Sequence, residues 1–198
     1  RASKILTRKA LSPAFGFFGG SFDPVHNAHL VVAAQARAQW DGDRVLMVVA
    51  GDPWQKAGRV EATKAHRLGM VERAVEGIEG VEGGDFEVVR DGPTYTIDTV
   101  ESLEAPGRQL LLILGEDSLR GLDSWHRSAE LRDKVELVGV ARAGRRPRGV
   151  EEVVEIPRLD ISSTELRLAL HVGEPIDGFV PSAVTGYIRE HGLYGAHR

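Results

Sequence analysis

The sequence predicts an α/β protein built on a doubly wound, mainly parallel sheet, with a helical C-terminal portion. Three observations lead there. Strand-like runs alternate with helix-patterned ones as far as residue 156, and the closing third carries two helical patterns. Most of the runs are nearly unbroken Val, Ile and Leu, as in parallel strands covered on both faces. The first run ends in Gly19 and Gly20, a turn signal between a buried strand and a helix.

Strands are expected at residues 15–18, 44–50, 86–90, 109–115, 135–141 and 153–156. Between them, apolar residues at helical spacing place helices at about 27–39, 64–75 and 97–103, with short pieces near 118–121 and 129–132. Leu68, Val71 and Val75 show that spacing in the second helix, and Thr63 suits its N-cap. Two more helices, 163–171 and 182–191, close the chain. Such alternation requires right-handed crossovers. The basic run 142–148 reads as a loop. Residues 1–13 carry Arg1, Lys4, Arg8 and Lys9 and no acid, and read as a basic extension before a single domain, 14–198.

Composition narrows the function. A net charge of −4 argues against broad nucleic-acid binding, which ordinarily needs a basic surplus. With no cysteine there are no disulfides and no thiolate metal sites. No apolar stretch is long enough to span a bilayer, and the N-terminal segment lacks a continuous signal-peptide core. A cytoplasmic protein is expected; the oligomeric state is left open.

The chemistry gathers in two segments. In Gly19-Gly20-Ser21-Phe22-Asp23-Pro24-Val25-His26-Asn27-Ala28-His29-Leu30, glycines allow close backbone approach and a helix start offers unpaired N–H groups to an anion. His26 and His29, three apart, lie on one helical face, where both reach a single phosphate. A metal pair would more often be spaced i, i+4 and would need further ligands. In Ile161-Ser162-Ser163-Thr164-Glu165-Leu166-Arg167, Ser162 and Glu165 fit a capping box, and Arg167 can lean back over the opening turn. Hydroxyls, N–H groups and a guanidinium then converge, which suits a polyphosphate.

Both segments resemble signatures of one superfamily, the nucleotidyltransferases with H-x-G-H and I-S-S-T-x-x-R motifs. The fuller form of the first is similar to that of the bacterial nicotinate-nucleotide adenylyltransferase family, with Ser21 for the commoner Thr and Ala28 for the usual Gly. The resemblance runs from about Phe15 to Tyr194 and implies a Rossmann-like fold. It also implies adenylyl transfer from ATP to nicotinate mononucleotide in NAD biosynthesis, with Mg²⁺ accompanying ATP and no metal held by the protein alone. By that resemblance His26, His29, Lys56 and Arg167 are catalytic. Gly19, Gly20, Ser21, Phe22, Gly115, Asp117, Ile161, Ser162 and Ser163 bind ATP. Thr94, Tyr95, Thr96 and Trp125 bind the nicotinate nucleotide. Thr94-Tyr95-Thr96-Ile97-Asp98-Thr99 opens a helix whose N–H groups and hydroxyls are expected to receive an anion, which the family assigns as the nicotinate carboxylate. The family's Trp, here Trp125, stacks on the pyridine ring. Arg67 and Met70 match an R-x-x-M pattern, with Met70 read as packing. Rival readings are a nicotinamide or dual-specificity acceptor and a sensor without turnover. A dehydrogenase is disfavoured, since G-x-G-x-x-G is missing after the first strand.

Overall fold

The computed structural model describes residues 14–40, 44–51, 60–142 and 145–196. Six strands, β1 (Ala14–Gly20), β2 (Arg44–Val49), β3 (Val81–Gly84), β4 (Gln109–Leu114), β5 (Glu136–Arg142) and β6 (Glu152–Ile156), form one sheet in the order β3-β2-β1-β4-β5-β6. Every neighbouring pair is parallel. Among the described residues seven α-helices accompany it: α1 (Asn27–Trp40), α2 (Lys64–Val75), α3 (Thr96–Leu103), α4 (Glu116–Gly121), α5 (Ser128–Lys134), α6 (Ser163–His171) and α7 (Ser182–Glu190). This is a Rossmann-like α/β fold.

The strand period sorts the apolar runs into two cores. On one face Val45, Met47 and Val49 of β2 and Leu111 and Ile113 of β4 pack with residues of α1, α2, α6 and α7. On the other, Leu46 and Val48 with Leu110, Leu112 and Leu114 pack with Val100 and Leu103 of α3 and Leu131 of α5. Alternate side chains point to opposite faces and both faces are covered, so the strands read as continuous apolar runs.

One strand differs from the sequence reading. Residues 86–90 form a turn and not a strand, with Val89 70% exposed. The third strand is Val81-Glu82-Gly83-Gly84, paired with residues 45–48 of β2. The β-branched run Val88-Val89 carries the stronger strand propensity, but packing decides. A Cβ on Gly84 would come within 2.9 Å of the Leu46 side chain, so glycine lets β3 approach that side chain closely. Thr63 caps α2 as expected, its Oγ1 accepting from the His66 amide. Residues 1–13 lie outside the described residues. No helix among the described residues is long and apolar enough to cross a membrane.

Candidate active site

Strand order reverses between β1 and β4, and the crevice beyond their carboxyl ends is where open parallel sheets bind ligands. The turn after β1 enters it. Phe22 takes a left-handed conformation (φ 48°), and its buried ring lies over Gly20, where any Cβ would come within 2.8 Å of the ring. Edge-on contact carries that packing to His29, at 5.0 Å between ring centroids. Phe22 thus supports the histidines from beneath.

The two imidazoles stack, with centroids 3.7 Å apart and planes at 22°. His26 immediately precedes α1, and its backbone N–H donates to His29 Nδ1 (3.2 Å). That bond makes Nδ1 an acceptor, so the His29 proton sits on Nε2. His26 is 5% exposed. Burial, and then the positive charge of Arg142, lower its pKa to about 4. It is a neutral imidazole at pH 7, and among the described residues its buried Nδ1 has no hydrogen-bond partner.

The second segment docks onto the first through Asp23. This carboxylate, 1% exposed, accepts from the amides of Glu61 (2.8 Å) and Ala62 (3.1 Å) and from the Tyr194 hydroxyl (2.6 Å). Burial and the bond to Asp23 push the Tyr194 pKa well up. Arg167 leans back as its place in α6 requires: Nη1 donates to the Asp23 carbonyl at 2.7 Å, and Nε lies 3.6 Å from Glu61. His171, one turn on, also pairs with Glu61 (3.1 Å). Ser163 Oγ donates to the Pro24 carbonyl. The cap at Ser162 forms, with its Oγ accepting from the Glu165 amide and donating to the Glu165 carboxylate. Arg67, 2% exposed, donates to the carbonyls of Ser21, Ala50, Gly51 and Ala62, tying the ends of β1 and β2 together. Met70 is fully buried core, as its packing role requires.

A cavity opens on the other side of the β1 turn. It is lined by Gly19, Gly20 and Ser21, by Thr94, Tyr95 and Thr96, and by Trp125, His126 and Glu87. Tyr95 is the N-cap of α3 and makes no side-chain cap, and among the described residues the Asp98 amide donates to the Tyr95 carbonyl while the Thr96 and Ile97 amides have no intrahelical acceptor. The Thr94 hydroxyl is not available to an anion as expected: it donates to Glu87 (2.8 Å), because a buried carboxylate takes the nearest donor. The His126 ring lies 4.3 Å from that of Tyr95 at the cavity wall. Gly115 is the N-cap of α4 outside this cavity, and the Asp117 side chain is 99% exposed. Ile161 packs against the first core. Lys56 lies outside the described residues. Sequence reasoning passed over Asp23, Glu61, Glu87 and His126. A lone acid inside an apolar run was the one signal for Glu87.

The model of the cytidylyltransferase-like family matches residues 17–169. A protein of Dehalococcoides mccartyi, described as a "probable nicotinate-nucleotide adenylyltransferase", is 35% identical over 90% of this chain and 96% of its own. One of Streptomyces coelicolor with the same description is 38% identical over 89% and 98%. Among solved structures, the Plasmodium falciparum nicotinic acid mononucleotide adenylyltransferase complexed with NaAD superposes with a TM-score of 0.77. That match is at 20% identity and covers 93% of this chain and 98% of that one, a likeness of fold. With the family's pattern matched across most of its length and relatives above 30% identity along nearly all of it, this chain belongs to the cytidylyltransferase-like family, among its nicotinate-nucleotide adenylyltransferases.

Proposed function

We propose that this protein transfers the adenylyl group of ATP to nicotinate mononucleotide, in NAD biosynthesis. One observation carries the reading. The segment after β1 carries the stacked imidazoles and receives Arg167 at the Asp23 carbonyl, while its Gly19, Gly20 and Ser21 line a cavity with Thr94, Tyr95, Thr96 and Trp125. One flank suits phosphates and the other a flat ring bearing an anion.

A phosphate oxygen of the mononucleotide attacks the α-phosphorus of ATP. The bond from that phosphorus to the bridging oxygen breaks, releasing pyrophosphate and leaving nicotinate adenine dinucleotide. The nucleophile is already anionic at neutral pH, so alignment and charge stabilisation supply the rate. In this reading His29 presents its Nε2–H to the transferring phosphate. His26, neutral, adds a donor without adding charge, while Arg167 and Lys56 take the β- and γ-phosphates. Gly19, Gly20, Ser21 and Phe22 shape the turn beneath ATP, and Gly115, Asp117, Ile161, Ser162 and Ser163 complete its site. The α3 amides take the nicotinate carboxylate and Trp125 stacks on the ring. A divalent cation, Mg²⁺ in this reading, would supply charge neutralisation at the phosphate oxygens. Among the described residues no three His, Asp or Glu side chains gather to cage one.

The test is pyrophosphate release with ATP and each acceptor in turn. Nicotinate mononucleotide is expected to be the efficient one. Equal efficiency with the amide makes the enzyme dual-specific, and release with neither refutes adenylyl transfer to a pyridine nucleotide.

A further inference from the structure

Glu87 is a carboxylate in surroundings that ordinarily demand a cation. It is 8% exposed and lies in the turn after β3. One carboxylate oxygen accepts from the Thr94 hydroxyl at 2.8 Å and the other from the Thr99 hydroxyl at 3.3 Å, and both threonines are themselves buried. Among the described residues its partners are these two neutral hydroxyls, and no Lys, Arg or His pairs with it. Buried carboxylates are otherwise almost always matched by a positive group, because desolvating the charge is costly. Arg90, three residues on, donates to the Asp98 carbonyl and Ser102 Oγ and makes no ion pair with Glu87 among the described residues. Glu87 nevertheless forms part of the cavity wall, beside Thr94, Tyr95, Thr96 and Trp125.

The acceptor proposed above carries the complementary charge. A pyridine ring bonded through its nitrogen to ribose is a pyridinium, with a fixed positive charge that no titration removes. Its dihydro form, which has gained a hydride on the ring, keeps the ribose, the phosphate and the ring carboxylate and loses the positive charge together with the ring's aromaticity. We infer that Glu87 is a specificity-determining residue that reads ring charge: its carboxylate is the counter-ion of a pyridinium. The cavity therefore selects oxidised, cationic acceptor nucleotides over neutral-ring ones. The inference rests on the nicotinate-nucleotide reading and adds a criterion to it. Acid and amide are distinguished at the α3 amides, oxidised and reduced rings at Glu87. Both carboxylate oxygens are held by hydroxyls, so the charge is fixed in place before the ligand arrives, as preorganised electrostatics requires. The same charge repels the ligand's own carboxylate, which favours the orientation that turns this group toward the first amides of α3.

A structural alternative is that Glu87 merely clips Thr94 to Thr99. Glu87→Gln separates the two, since glutamine keeps the shape and both hydroxyls can reverse roles to satisfy its amide. Dissociation constants are measured by calorimetry for nicotinate mononucleotide and for its dihydro form, with the KM for ATP as an internal control. The wild type is expected to bind the oxidised form about tenfold more tightly, the low end of what an opposite charge at close range contributes. Glu87→Gln should bring the two within about twofold, at the expense of the oxidised form, with the KM for ATP unchanged. Equal weakening of both forms would leave only the clip and overturn the inference, as would a wild type that binds both alike. Trp125→Ala serves as the second variant. It should weaken both forms and keep the ratio, whereas a ratio that collapses there assigns the preference to the indole. Failure of the parent reading looks different: the wild type then releases no pyrophosphate with nicotinate mononucleotide.

Discussion

Replacing Arg67 tests the claim that the site is assembled by a buried guanidinium. At 2% exposure its donors reach the carbonyls of Ala62 (3.2 Å), Ser21 (2.8 Å), Ala50 (2.7 Å) and Gly51 (2.8 Å). Arg67→Met keeps much of the apolar stem and removes the donors. A buried acceptor left without a partner costs about 1–3 kcal/mol. Releasing the guanidinium from its own desolvation cost offsets part of the sum. The net expectation is a loss of about 4 kcal/mol, the range seen when one side of a buried charged network is removed. For a chain of this length that lowers Tm by about 10 °C, measurable by circular dichroism on heating. Turnover should fall even where the variant is folded, because the Ser21 carbonyl sits in the turn that carries the histidines. Arg67→Lys, a point donor in place of a fork, should lose about half as much stability. A Tm within 2 °C of wild type for Arg67→Met, on the ~10 °C scale above, would mean that water satisfies these carbonyls and the reasoning fails.

Four further outcomes are expected. His29→Ala should lower kcat by about 3 kcal/mol of transition-state stabilisation in a folded protein; near-normal turnover removes it from the chemistry. The His26 pKa is lowered to about 4 by burial and by Arg142, against 6.5 when unfolded. The unfolded chain therefore binds the proton first, so stability from this group is complete above pH 6.5 and declines as pH falls toward 4, by about 3 kcal/mol. His26→Gln should flatten that part of the urea-denaturation pH profile, and an unchanged slope would refute the assignment. Arg167→Leu should raise the KM for ATP, with little change for the acceptor; calorimetry showing unaltered ATP affinity alongside normal turnover would make Arg167 purely structural. Trp125→Ala should raise the KM for acid and amide acceptors by similar factors, about tenfold. A selective loss of one acceptor would make the indole a discriminator and not a stacking platform.

Local chemistry written in contiguous residues was legible without coordinates. The glycine turn, the Thr63 and Ser162 caps, the backward reach of Arg167 and the apolar runs other than 86–90 depend on neighbours within a turn or two, and the structure keeps them. Where long-range packing competes with local propensity, the sequence misleads. Residues 86–90 look more strand-like than 81–84, yet the sheet takes the glycine-bearing segment, in which Gly84 lies against the Leu46 side chain. Asp23 reads as a turn residue beside Pro24, and nothing in its neighbourhood announces that Tyr194, 171 residues away, will bond to it. Glu87 reads only as part of the strand expected at 86–90. Only the tertiary structure buries it, sets Thr94 and Thr99 on its two oxygens and makes it a wall of the cavity. Sequence by itself determined the class of fold and the caps and turns beside its strands, because helix starts and glycine turns are local physics. Which carboxylates became buried partners was decided by the folded chain alone, because burial belongs to no residue until the others have packed around it.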